Sequence, residues 1–392
     1  MPHQPLNVLV VSPWFPERAA PATGVFVSEQ ARLVSELHRV RVAAPFRPNP
    51  YGWHRRGPER QDHRDVPVHR PRRGPQLFPI PDLVGATIAL RRSAAALRRQ
   101  GFIPDVVHAH VYVGGLVARW AFPRLPIVLT EHHSGVARGE LSRTDHEIAK
   151  RAFRSADLIA PVSGSLAKAI ERFPHVGPID IIPNAVDTTR FTAKSVSTRS
   201  TESSLVFVGG LTPIKGVDTL IRAFGKVLTE RPEATLDIVG DGPDRLKLER
   251  LVREHGLEAS TQFSGHCDRD TVAMKLRAAD LLVSASWWEN LPGVQLEALA
   301  SGTPVVATSV GGVPELITHD TGTLVPPGDS DSLARAIHQT LDRHIEPARL
   351  RAAVARFAPA VVLARWDDAY RRLAQDHERR LKRRRNKLTN ST

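Results

Sequence analysis

Short runs of three to six mostly apolar, often β-branched residues alternate along this chain with longer stretches whose apolar positions recur every three or four residues. The first pattern predicts buried strands and the second amphipathic helices. In the first half the strand-like runs lie at 6–11, 40–44, 106–109, 127–130, 158–162 and 179–182. In the second half they lie at 205–208, 236–239, 262–264, 281–284, 305–308 and 322–325. Segments with helical spacing, such as 26–37 and 83–99, fall between them. Strands apolar on both faces and separated by helices predict parallel sheets covered on both sides, with about six strands in each half.

The alternation stops at 193–204 (AKSVSTRSTESS), a polar Ser/Thr-rich stretch that reads as a linker. The predicted organisation is an α/β protein of two doubly wound, Rossmann-like domains facing across a cleft: residues 1–192, then 205–356. A helix over 357–375 follows, with Trp366 and Tyr370 on its apolar face, and then a basic tail over 376–392. A length of 392 residues suits two domains.

Composition changes the picture in two places. The net charge of +13 is concentrated: residues 371–387 carry nine Lys/Arg against Asp376 and Glu378, and 53–73 carry seven Arg against three acids. Two such patches suit an anionic surface, and no interleaved aromatics or RNA-recognition signature accompanies them, so no nucleic acid is expected as a partner. The single Cys267 excludes a disulfide framework. No run reaches the roughly 18 apolar residues of a membrane span, and 1–5 carries no basic leader, so a cytoplasmic protein is expected.

Candidate chemistry sits where strands end. Residues 205–216 (LVFVGGLTPIKG) are a strand, a Gly turn at Gly209 and Gly210, and a helix opening, with Lys215 placed to reach a diphosphate. Residues 284–297 (SASWWENLPGVQLE) run from a strand through a loop into a helix beginning near Gly293, whose free amides favour an anion. Glu289 lies in that loop and Glu297 a turn inside the helix, suited to ribose hydroxyls. In the first half Gly24 heads a helix. DVVHAH (105–110) and LTEHHS (129–134) place His108, His110, His132 and His133 at strand ends, where cleft-facing groups sit.

These segments together resemble the family 4 retaining glycosyltransferases of the GT-B fold. Glu289 and Glu297 enclose seven residues, as in that family's E-x7-E element, and VGGLTPIKG (208–216) is similar to its VGRL-x3-KG segment. PNAVD (183–187), VGDGP (239–243), FSGH (263–266), GTPVVA (302–307) and VGGVPE (310–315) follow in family order across roughly 1–375. The wording GVFVSEQ (24–30) is nearest to the teichuronic acid biosynthesis branch.

The resemblance implies a nucleotide-sugar donor, UDP-linked in preference to GDP-linked, and a glycan or lipid-linked acceptor. Lys215 would bind the diphosphate, Glu297 the ribose, and Glu289 the transferred sugar. Backbone near Gly265 and His266 would meet the base, and amides from Leu291 through Gly293 and Val294 to Gln295 would hold phosphate or sugar. On the acceptor side it implies Gly24 and His132, the latter from the family's T-x-H element, with His110 on the cleft wall. One departure stands out: the family usually has Arg where this chain has Gly210.

No cofactor or essential metal is expected, because the histidine spacing matches no zinc signature and no Asp-x-Asp pair ends a strand. Retention with one obvious carboxylate implies same-face displacement, catalysed by positioning and by stabilising the leaving diphosphate. The competing readings are a nucleotide-sugar epimerase of the same architecture, which lacks E-x7-E, and an inactive scaffold, suggested by Gly210.

Overall fold

The computed structural model describes residues 4–16, 24–46, 60–63, 66–69, 83–193 and 203–389. The chain divides into two compact units, Met1–Pro183 with Val362–Thr392, and Asn184–Val361. The division therefore falls inside the PNAVD segment, after Pro183, and not within the expected linker. Of that linker, 194–202 lie outside the described residues, and Ser204 already opens a strand. The basic stretch at 53–73 also lies mostly outside them.

The first unit holds strands β1 (Asn7–Val11), β2 (Arg39–Ala43), β3 (Arg60–His63), β4 (Val66–His69), β5 (Val106–His110), β6 (Ile127–Glu131) and β7 (Leu158–Pro161). Their order is β3-β4-β2-β1-β5-β6-β7, with every pairing parallel except β3 with β4. Six strands are indeed parallel, but the sixth is β4, beside the antiparallel edge strand β3, and not the expected 179–182. That segment makes only an isolated bridge, Ile159 to Ile179, along β7. Asp180 and Ile182 donate to the Ile159 and Pro161 carbonyls, but Pro161 has no N–H to return a bond to Asp180, so the ladder is interrupted there.

The second unit holds β8 (Ser204–Val208), β9 (Thr235–Val239), β10 (Thr261–Gly265), β11 (Leu281–Ser284), β12 (Val305–Thr308) and β13 (Gly322–Val325). All six are parallel, in the order β10-β9-β8-β11-β12-β13. Its core packs Phe207, Ile238, Val283 and Val306 of the sheet against Leu220, Phe224 and Val227 of helix Val217–Glu230 and Leu333 and Ile337 of helix Ser330–Asp342. Each such side chain, removed from water, contributes about 1.5–3 kcal/mol.

Each sheet has one place where the chain leaves a central strand in both directions: between β1 and β5 in the first, between β8 and β11 in the second. Open parallel sheets leave a crevice beyond the carboxyl ends of the strands at such a point. The segments entering it are 12–16 and 110–112 in the first unit, and 209–216 and 285–292 in the second.

The terminal helix is longer than its apolar repeat indicates, running Pro359–Thr389 through the basic stretch. From Val362 it belongs to the first unit, where Trp366 and Tyr370 are fully buried. Asp367 meets His38 at 3.2 Å, and Arg365 and Arg372 both reach Asp180. Arg and Lys are good helix formers, so the charge that reads as a tail continues the helix instead.

Candidate functional site

In the second unit, Lys215 closes a short turn (Pro213–Lys215) between the Gly209–Gly210 bend and helix Val217–Glu230. Gly216 holds a left-handed φ of 59°, and a Cβ there would lie 2.1 Å from the Ala285 carbonyl oxygen. Only glycine lets this turn press against the loop after β11. The Trp287 N–H donates to the Ile214 carbonyl (2.8 Å), locking the two segments together. Lys215 Nζ then donates to Glu289 Oε1 at 2.6 Å, and Ser286 Oγ donates to the same oxygen at 2.8 Å. Two residues that the sequence suggests for separate ligand groups thus form one ion pair. Lys215 keeps 30% of its side-chain exposure, so the pair contributes on the order of 1 kcal/mol or less and can be exchanged for another anion.

The helix after this loop is Gly293–Ala300, with Pro292 as its cap. A Cβ on Gly293 would meet nothing within 4 Å, so the start of the helix is open. Of the expected amides, that of Gln295 already donates to the Pro292 carbonyl (3.2 Å), while Leu291 and the Gln295 side chain are buried. The open amides are those of Gly293 and Val294. Glu297 is paired with Arg269 at 2.8 Å, a partner that sequence reasoning missed. Burial pushes the Glu297 carboxyl above its usual range, against the opposing pull of Arg269 and Arg190. Arg269 also stacks over Phe191, and Arg190 pairs with Asp270 at 2.8 Å. This second charge cluster is separate from Lys215–Glu289.

The glycine bends at the ends of β8, β9 and β10 are hydrogen-bonded side by side: Gly209 N–H to the Val239 carbonyl, Gly240 N–H to that of Gly265. His266 follows Gly265 and is exposed. At Gly210 a Cβ would have no neighbour closer than the Asp241 carbonyl oxygen at 4.0 Å. The position therefore has room for a side chain that this chain does not supply.

In the first unit, Gly24 caps helix Val25–Val34 at φ 69°, and a Cβ there would lie 2.3 Å from the Trp14 carbonyl oxygen. The loop after β1 packs against it so closely that only glycine fits here. What Gly24 delivers is Phe26, whose ring lies 4.4 Å from that of His132. Trp14 stacks on His133 at 5.6 Å.

His108, two residues before His110 on β5, is a structural histidine: its ring nitrogens meet Tyr370 Oη (2.6 Å) and Thr130 Oγ1 (2.7 Å). Burial holds it at a pKa of about 3. His110 stacks on His108 at 4.4 Å, and its Nδ1 meets His132 Nε2 at 3.1 Å. Burial also pulls His132 to about 3 and His110 well below its usual value, so the pair is neutral and shares one proton across the contact.

Beneath this pair lies Glu131, which sequence reasoning passed over as the middle residue of Thr130–His132. It is fully buried, and burial pushes it up to about 7 despite three bonds that favour its charge. Val111, between His110 and Tyr112, has a φ of 62°. A β-branched residue there costs about 1–3 kcal/mol and is held only by its surroundings.

Both units carry the architecture of the GT-B glycosyltransferases. The sucrose-phosphate synthase of Thermosynechococcus elongatus superposes with a TM-score of 0.76 at 22% identity, over 94% of this chain and 99% of that one. Anabaena HepE, solved with UDP and glucose, gives 0.73 at 20% identity over 93% and 99%. Residues 23–190 match the model of Glycosyltransferase Family 4, and residues 189–357 that of Glycosyl transferases group 1. The chain belongs to the family 4 glycosyltransferases. It is 33% identical over 269 residues to the glycogen synthase of Mycobacterium tuberculosis, a match that spans 65% of this chain and 65% of that enzyme's length. It is 28% identical to TuaC of Bacillus subtilis, which bears a teichuronic acid biosynthesis name, over 85% of this chain and 88% of that one.

Proposed function

We propose that this protein transfers a sugar from a nucleoside diphosphate, UDP-linked in preference to GDP-linked, to a glycan or lipid-linked acceptor with retention of configuration. The observation that carries this reading is the Lys215–Glu289 pair at the crevice between β8 and β11, beside the open amides of Gly293 and Val294. On this reading the donor diphosphate displaces Glu289 from Lys215, lies against those amides and frees the carboxylate to face the sugar. Glu297 takes the ribose, with Arg269 orienting it, and the base lies near Gly265 and His266.

His132 orients the transferred sugar and His110 fixes the orientation of His132. The leaving diphosphate takes the acceptor's proton as the new bond forms on the same face, so rate comes from positioning and from charge stabilisation at Lys215. No metal is required, because a cation and a helix start already face the developing charge.

Among the described residues no helix is long and apolar enough to cross a membrane. The exposed basic end of helix Pro359–Thr389 supports a peripheral role at an anionic, cytoplasmic membrane surface. Removing residues 376–392 should abolish binding to anionic liposomes, and unchanged binding would refute that role.

Thermal shift and donor hydrolysis measured across UDP-, GDP- and ADP-sugars, with and without EDTA, test the main reading. Stabilisation and slow hydrolysis with one nucleotide class, insensitive to EDTA, are expected. Silence with all three would leave the inactive-scaffold alternative.

A further inference from the structure

Glu131 joins two strand ends that carry the paired histidines. Its Oε1 accepts the N–H groups of His132 and His133, both at 2.8 Å, and its Oε2 accepts that of Tyr112, also at 2.8 Å. Tyr112 lies in the first turn of helix Val111–Ala121, whose cap residue is His110 and which has no side-chain cap of its own. The carboxylate from β6 therefore takes the place of a cap on the helix that follows β5. A negative charge at a helix start is favourable, and three amide donors suit a carboxylate, which only accepts. The same clamp bears on Val111: with Tyr112 N–H tied down on one side and His110 in its strand register opposite Thr130 on the other, the left-handed turn between them is fixed.

We infer that Glu131 is the positioning residue of the acceptor-side site: as a carboxylate it holds the ends of β5 and β6 so that His110 and His132 meet ring to ring. The inference rests on the reading that His132 faces the transferred sugar. Protonation would put an O–H where an N–H now donates and release at least one amide. The titratable groups around it are His110 and His132 on one side, His133 above, and the Tyr112 hydroxyl bonded to Asp145 on the other. The three histidines are held neutral by burial, and burial pushes the Tyr112 hydroxyl up, so the clamp is the group that changes state near neutral pH.

The test is Glu131→Gln in the full chain, which keeps size while turning one acceptor into a donor. In wild type, kcat should fall as the pH drops below about 7. The variant should show kcat lowered by about 10²-fold, as for a small misplacement of reacting groups, with that acid limb gone and UDP affinity unchanged. A second readout does not depend on turnover. The imidazole nitrogen resonances of His110 and His132 should move together with pH around 7 in wild type, and should be shifted and flat over that range in the variant. Wild-type kcat with the same pH profile in Glu131→Gln, or unchanged imidazole resonances, overturns the inference. Absence of any transfer by wild type, with the resonance effect intact, would instead overturn the glycosyltransferase reading and leave the clamp standing.

Discussion

The two units place their chemistry at the same topological point and in opposite electrostatic states. Beyond β8 and β11, Lys215 and Glu289 form a partly exposed ion pair that an incoming anion can rearrange. Beyond β5 and β6, His110 is buried and His132 partly so, both are neutral, and both strand ends are held by Glu131. The difference teaches how one architecture divides the work of transfer. On the proposed reading the charged crevice exchanges one anion for another, as binding and releasing a diphosphate demands. On that reading the neutral one keeps its geometry, because an orienting group loses value if it moves.

The largest expected effect breaks the charged side. Lys215→Ala should lower kcat by at least ~10²-fold, comparable to loss of one preorganised donor in an oxyanion-type site. Near-normal turnover would show that the lysine is only Glu289's partner.

The neutral side is sharpened by pH. Histidines whose folded pKa is depressed stabilise the fold above their unfolded pKa of about 6.5 and lose that contribution as pH falls. Going from pH 7 to pH 5, His108 and His132 should each remove about 2 kcal/mol of stability, since the unfolded chain takes up protons they refuse. Glu131, with its folded pKa raised, works in the opposite direction between about pH 4.5 and 7. Urea unfolding across this range should therefore show a net fall in stability towards pH 5, steeper in Glu131→Gln. A flat profile would mean that these rings are not held neutral.

Tyr370→Phe should cost about 1–3 kcal/mol, because it strands a buried nitrogen of His108, and should lower the Tm with little effect on kcat. The smallest effect concerns Gly210. Since the position is open, Gly210→Arg should fold normally and tighten UDP binding by about tenfold through one charge-assisted contact. Unchanged affinity would show that the site has no need of a second cation there.

Most of this was legible in the sequence because it follows from local periodicity and chain order. The LVFVGG and LLVS runs give β8 and β11, and the turn at Gly216 follows from the short step to Lys215. The parts that were not legible depend on contacts distant along the chain. Nothing local to Lys215 announces that it pairs with Glu289, 74 residues later, or that Glu297 meets Arg269. Glu131 was hidden differently: an acidic residue after Ile-Val-Leu-Thr looks like the exposed end of a strand, and its three amide partners come from backbone. The 179–182 segment misled because its isoleucines match a strand, while Pro161 in the neighbouring β7 lacks the N–H that would continue the ladder. The hairpin of β3 and β4 was lost in a run of arginines. The polar composition past residue 375 concealed the rest of a helix that Arg and Lys support well.

The division between an exchangeable charged site and a fixed neutral one is tested most directly by calorimetric titration of UDP into wild type, Lys215→Ala and His132→Ala. Wild type should bind, Lys215→Ala should bind at least tenfold more weakly, and His132→Ala should bind as wild type does. Equal affinity in wild type and Lys215→Ala, or weakening by His132→Ala as large as that by Lys215→Ala, would contradict it.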